Sequence, residues 1–262
     1  MPTLVTDQGI VHYETYGRGR PVILLHGWLG SWALWRETIE ILGEHFKLYA
    51  LDFFGFGDSL DRSADFSVTN YVDLVYQFME RLGIVKAPLV GHSMGGTVSL
   101  GVAARYPEKV VKVIVIGSPI HGSSLNVFLK LSGNKSIANL LFTAPVLLQS
   151  FIFGITHLAA QGGRKLYRMV REDSSKVSAD SFFQSIGTLH KTDLTGELPD
   201  LKMSILGIYG KKDIIVNPNQ GKLLIKHAPT ASLQEFERSG HFPMLDEAAR
   251  FHDSVKDFLY NG

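Results

Sequence analysis

Apolar residues along this chain fall into two alternating rhythms. The first is a short unbroken run that stops at a glycine, an aspartate or a proline: "RPVILLHG", "FKLYALDF", "APLV", "VVKVIVIGSP" and "MSILGIYGKKD". A strand with both faces buried needs an apolar side chain at nearly every position, so these runs predict strands of a parallel sheet covered on both sides. "SLQEFERSGH" is read as one more strand near the C-terminus. The second rhythm spaces apolar residues three and four apart, as a helix requires. It marks "SWALWRETIEILGEH" (Leu34, Trp35, Ile39, Leu42), "VTNYVDLVYQFMERLGI", "TVSLGVAARYP", "NQGKLLIKHAP" and "DEAARFHDSVKDFLY". The helix in "VTNYVDLVYQFMERLGI" is expected to start with Thr69 or Asn70 as N-cap and to stop at Gly83. At the N-terminus "TLVT" and "IVHYETYG" flank Asp7-Gln8-Gly9 and predict a hairpin. Strands alternating with helices in this way indicate an α/β chain with a mostly parallel central sheet and helices on both faces.

The alternation breaks between about Pro119 and Leu198, where helical patterns continue without a convincing strand. Residues 119–198 are therefore expected to form a helical cap inserted after the sixth strand, with 1–118 and 199–262 forming the core domain. Ligands of open α/β sheets bind at the carboxyl ends of the strands, so such a cap would cover the site. Within it, Ser136 to Gly163 carries no charged residue, a length sufficient to span a bilayer. Asn139, Gln149, His157, the breakers Pro145 and Gly154, and a position deep inside a folded unit favour packed helices over an integral span.

Composition narrows the function. The chain has 262 residues, 45% hydrophobic and 19% charged, as soluble globular proteins do. Lys+Arg at 26 against Asp+Glu at 25 gives a net charge of +1, and no basic run offers a footprint for nucleic acid. The absence of cysteine excludes disulfides, thiolate metal sites and a cysteine nucleophile. "MPTLVTDQGIVHYE" shows no secretory signal, so a cytoplasmic protein, monomeric or homodimeric, is expected.

The candidate chemistry lies in "LVGHSMGGTV". Gly91-His92-Ser93-Met94-Gly95 fits G-x-S-x-G between a strand and a helix, the context in which that motif holds a serine on a sharp turn. A serine hydroxyl needs a histidine to take its proton and a carboxylate to orient that histidine. Asp213 ends the strand "ILGIYGKKD", and His241 sits in a strand-end loop in "RSGHFPMLDE". His227 and His252 fall on helices, and His92 is expected to point away and be structural. The residue after the serine, Met94, should give one oxyanion N–H, and Trp28, after His26-Gly27 in "LLHGWLGSW", the other. Phe54, Phe56 and the cap residues Phe142, Phe151 and Phe153 are candidates to line a pocket, although core packing is the commoner role for each one singly. "FGFGDS" invites a dinucleotide reading, but no third glycine follows at the needed spacing and a turn at the sheet edge fits better. No H-E-x-x-H or comparable ligand cluster is present, so neither a metal nor a cofactor is expected.

Together "HGWLGSW", "LDFFGFGDS", "GHSMGG", "GKKD" and "SGHFPMLDEAARF" resemble the α/β-hydrolase superfamily, in its order and over the whole chain outside the cap. The likeness is greatest to the lidded carboxylesterase and haloperoxidase-like branch of serine hydrolases. The resemblance implies an α/β-hydrolase fold, a triad of Ser93, Asp213 and His241, and oxyanion N–H groups from Trp28 and Met94. A serine, where relatives acting on alkyl halides or epoxides use aspartate, argues against those two chemistries. The activity expected is cleavage of small apolar or aromatic esters through an acyl-enzyme. Carbon–carbon bond hydrolysis of ring-cleavage products, perhydrolase or acyltransferase chemistry, and a ligand receptor that retains its triad are the alternatives.

Overall fold

The unbroken apolar runs lie side by side in one sheet. The computed structural model describes residues 2–61 and 65–261. Among them are nine strands: β1 (Thr3–Val5), β2 (Gly9–Tyr16), β3 (Pro21–Leu25), β4 (Lys47–Leu51), β5 (Leu60–Asp61), β6 (Ala87–His92), β7 (Val110–Ile116), β8 (Ser204–Gly210) and β9 (Ala231–Phe236). Their order is β1-β2-β4-β3-β6-β7-β8-β9, with β5 pairing β2. Strands β4, β3, β6, β7, β8 and β9 pair in parallel, and the antiparallel hairpin β1-β2 forms one edge.

Alternation of side chains between two buried faces explains why nearly every position in these runs is apolar. Ile23, Leu25, Leu89, Val113 and Val115 enter one core, while Val22, Leu24, Val90, Ile114 and Ile116 enter the other. Helices α2 (Val68–Arg81) and α3 (Met94–Arg105) cover the first face; α1 (Arg36–Leu42) and the C-terminal helix (Ala248–Asn261) cover the second. Each fully buried Leu, Ile or Val contributes about 1.5–3 kcal/mol relative to exposure.

The true N-cap of α2 is Ser67, whose hydroxyl accepts from the Asn70 amide, two or three residues before the cap expected from the sequence. Ser67 wins because its side chain reaches the third amide of the helix, the geometry a cap requires. The two-residue β5 was also not expected; it follows the turn of "LDFFGFGDS". There the buried Asp52 carboxylate accepts from the Trp32 and Asp58 amides and meets His12 Nδ1 at 2.7 Å. A Cβ on Gly57, at φ +56°, would lie 2.2 Å from that carboxylate, so the glycine pattern serves Asp52 and not a phosphate.

Between β7 and β8 the described residues contain helices and 3₁₀ turns: α4 (Val127–Ser132), α5 (Lys135–Thr143), α6 (Pro145–Ala159), α7 (Gly163–Ser174) and α8 (Ala179–Lys191). The uncharged stretch is thereby cut at Ala144-Pro145, where α5 and α6 meet at 110°. Among the described residues no single helix is long and apolar enough to cross a membrane. After β8 come α9 (Gln220–His227), the short α10 (Pro243–Asp246) and the C-terminal helix, α11.

Candidate active site

Ser93 links β6 to α3 at φ 52°, ψ −119°, a region that costs a non-glycine residue about 1–3 kcal/mol. Its neighbours hold it there: the Ser93 amide donates to Ile116 O (2.8 Å), and its carbonyl accepts from the Gly96 and Thr97 amides. The turn brings strand and helix so close that a Cβ on Gly91 would lie 2.2 Å from Gly95 O, and one on Gly95 2.3 Å from Leu25 O. The side chain that these contacts present at the head of α3 is the serine.

Asp213 follows β8 and is fully fixed. Its Oδ1 accepts from the Ile215 and Val216 amides (2.8 and 3.0 Å), and its Oδ2 accepts from His241 Nδ1 at 2.7 Å. With Nδ1 carrying the proton, Nε2 of His241 is left as the acceptor. His241 and Ser93 both line one cavity of about 50 Å³. His227 ends α9 and His252 bonds Thr38 inside the opposite core; neither lines this cavity.

The loop after β3 forms the facing wall. His26 Nδ1 donates to Gly27 O (2.7 Å), while its Nε2 accepts from the Phe53 amide (2.9 Å), which ties the ends of β3 and β4 together. Burial lowers the His26 pKa, favouring this neutral tautomer. A Cβ on Gly27 would stand 3.1 Å from Ser93 Cβ, so the backbone entering Trp28 runs directly past the serine. The Trp28 indole donates to Phe182 O, which anchors this loop to α8.

The rest of the cavity is mostly aliphatic, with Leu29, Leu129, Ile155, Leu166, Val170 and Ile215 among its walls, Phe242 and Trp28 as aromatic walls, and no lysine, arginine or acid. Phe54, Phe142, Phe151 and Phe153, the aromatics expected there, do not line it. Phe54 is wholly buried in the core, Phe142 and Phe151 pack against Phe182, and Phe153 is half exposed beside His157 and Tyr167. Phe56 is also buried in the core, edge-on to His26. Phe151 instead lines a neighbouring groove.

A much larger pocket of about 490 Å³ opens between α1 and α7, rimmed by charged side chains and ending at Asp173. Burial pushes the Asp173 carboxyl up to about 6, against the opposing hydrogen bond from Ser31 Oγ. The folded chain thus holds this proton more tightly than the unfolded chain, so stability falls as pH rises from about 4 to about 6. Asp173→Asn should melt higher than the native protein at pH 8 and match it near pH 4, as thermal unfolding at the two pH values will show.

One group among the described residues, His12, Asp52 and Asp58, has candidate ligand atoms within 4.8 Å of one another. The Asp52 oxygens are already taken by N–H donors, and Asp58 pairs with Lys176, so these residues fit a structural ion-pair network better than a metal.

The family model described as alpha/beta hydrolase fold matches residues 20–139. An enol-lactonase from Burkholderia xenovorans superposes with a TM-score of 0.85 over 98% of this chain and 99% of its own, at 19% identity. The chain has the α/β-hydrolase fold. Similar sequences include pimeloyl-(acyl-carrier protein) methyl ester esterase of Vibrio campbellii, 27% identical over 95% of this chain and 98% of that protein. Another is 2-hydroxy-6-oxo-6-phenylhexa-2,4-dienoate hydrolase of Burkholderia cepacia, 28% identical over 96% of this chain and 92% of that protein.

Two further side chains of this α/β-hydrolase fold take parts at the site beyond those expected from the sequence. His92 does not point away: its Nε2 donates to His241 O (2.9 Å), its ring stands 4.7 Å from the His241 ring, and it forms part of the cavity wall. Burial, reinforced by His241, holds its pKa well below the ordinary value, so it stays neutral. Asp246 accepts from the Gly240 amide through Oδ2 and from the Gln161 amide through Oδ1. The His241 amide donates to Ala159 O at the end of α6 (2.8 Å). The histidine loop is thus fastened to the helical insertion at two points. Its position directly before the serine marks His92 in the sequence; nothing comparable marks Asp246, whose partners are backbone atoms.

Proposed function

We propose that this protein is a serine hydrolase that cleaves carboxylic esters of apolar acids or alcohols through an acyl-enzyme. The observation that supports it most is the convergence, in one uncharged cavity, of a serine held at positive φ and a histidine whose Nδ1 is bonded to a buried carboxylate. In this reading Ser93 Oγ attacks the ester carbonyl as His241 Nε2 takes its proton. The oxyanion is held by the amides of Trp28 and Met94, each worth about 2.7–4 kcal/mol in the transition state. The collapse of that intermediate expels the alcohol, which leaves with the proton from His241. Water then attacks the acyl-enzyme, giving its proton to His241, and the acid departs as Ser93 recovers a proton. Residues 119–198 act as the cap that keeps bulk water from this site.

The relative that hydrolyses a phenylhexadienoate supports a second reading, carbon–carbon bond cleavage. A carboxylated dienone needs a cation facing the pocket, and the cavity beside Ser93 has none among the described residues. Ester cleavage therefore fits better. The test is hydrolysis of p-nitrophenyl esters from acetate to palmitate beside a ring-cleavage dienone. Turnover of the esters is expected; turnover of the dienone with no ester activity would overturn this reading in favour of the second.

A further inference from the structure

A cavity of about 50 Å³ beside Ser93 has room for only a few waters, so any ester larger than the smallest must extend beyond it. An apolar groove of about 330 Å³ adjoins it, between α4, α6 and the loop after β8. The two share Ile155 and Ile215 as a common wall. Ile215 is held in place by its own amide, which donates to the Asp213 carboxylate. The groove has no charged residue, and its rim exposes Phe128 (62%), Leu158 (62%) and Ile214 (51%) to solvent.

Its lining contains Gly154, in the interior of α6. A glycine there costs about 0.5–1 kcal/mol relative to alanine, so some other gain must explain it. Neither usual reason applies: its φ is not positive, and a Cβ built on it meets nothing within 4 Å. What the missing side chain does is keep the groove open.

We propose that this groove is a subsite for an unbranched aliphatic chain of the substrate, reached from Ser93 past Ile155 and Ile215. The inference rests on the ester-hydrolase reading and adds the substrate class: esters with an extended alkyl or acyl chain, which the groove would take up methylene by methylene. Each methylene transferred from water to apolar walls contributes about fourfold in affinity or in kcat/KM.

The test compares kcat/KM along two series, p-nitrophenyl esters lengthened on the acyl side and acetate esters lengthened on the alcohol side. In the native protein one series should climb by about two- to fourfold per methylene, and which one climbs tells which half of the ester uses the groove. Gly154→Phe should cut the decanoate-to-acetate ratio, or its decyl counterpart, at least tenfold, while Gly154→Ala preserves most of the climb. Ile214→Asp, on the exposed rim, should flatten the same series and covers the case in which Gly154→Phe fails to fold. Flat profiles in the native protein, or an unchanged profile in Gly154→Phe and Ile214→Asp, would overturn the proposal. A separate readout is the binding of a dansylated undecanoic acid to Ser93→Ala and its loss in Ser93→Ala/Gly154→Phe. If no ester is hydrolysed, the catalytic reading falls, and this binding alone decides the groove. A dimer that excludes the probe would assign the apolar rim to a second copy of the chain and overturn the subsite.

Discussion

Ser93→Ala should lower kcat on a short-chain ester by a factor on the order of 10⁴–10⁶, the loss typical when a nucleophilic serine is removed. The variant should melt within a degree or two of the native protein, because alanine keeps a Cβ and so keeps the strain at φ 52°. That expectation separates lost chemistry from lost fold. Ser93→Gly makes the complementary measurement. It removes both the hydroxyl and the steric penalty, so it should be equally inactive yet more stable by about 1–3 kcal/mol. Calorimetry on the two variants, beside a burst assay on p-nitrophenyl butyrate, checks both points. Retention of a tenth of native turnover by Ser93→Ala would remove this serine from the mechanism.

Asp213→Asn is expected to cost about 10⁴-fold in kcat with the fold intact. The argument is a matter of which atom can face which. Oδ1 of Asp213 must accept from the Ile215 and Val216 amides, so the carbonyl of an asparagine has to take that place. Its NH₂ group is then turned toward Nδ1 of His241, where the carboxylate oxygen had accepted. Two donors cannot share that bond, so the imidazole gives up its proton at Nδ1 and carries it on Nε2. The ring then offers the serine a donor where a base is required. KM should change little, because no substrate contact is lost. A kcat within tenfold of native would show that Asp213 does not orient the base.

The parts of this molecule legible in its sequence are those where burial is uniform. Strands β3, β6, β7 and β8 are buried on both faces, so apolar residues at nearly every position favour a strand of a covered sheet. The same sheet fixes where its strands end, so Ser93 after β6, Asp213 after β8 and His241 after β9 follow the carboxyl ends of parallel strands. The pocket walls were not legible, and α6 shows why. With Val146 and Phe153 on the same arc as Gln149, Ser150 and His157, that helix has no cleanly polar side, so periodicity cannot tell which residues turn inward. Tertiary packing buries Ile152 against the core and leaves Val146 and Phe153 outside. The aromatic candidates went astray for the same reason: Phe142 and Phe151 found Phe182, a partner far away in sequence.

The bonds that fasten the histidine loop to the end of α6 tie any movement of that helix to the proposed base. The amide of His241 is held by Ala159 O, and Asp246 clasps the amides of Gly240 and Gln161 at once. A displacement of α6 wide enough to admit a bulky ester would take the Ala159 carbonyl away from His241 and loosen the ring proposed to accept the serine proton. In the mechanism proposed above, entry and proton transfer would then belong to different moments: an open protein would load without reacting, and the base would be assembled only once the helix had returned over its cargo.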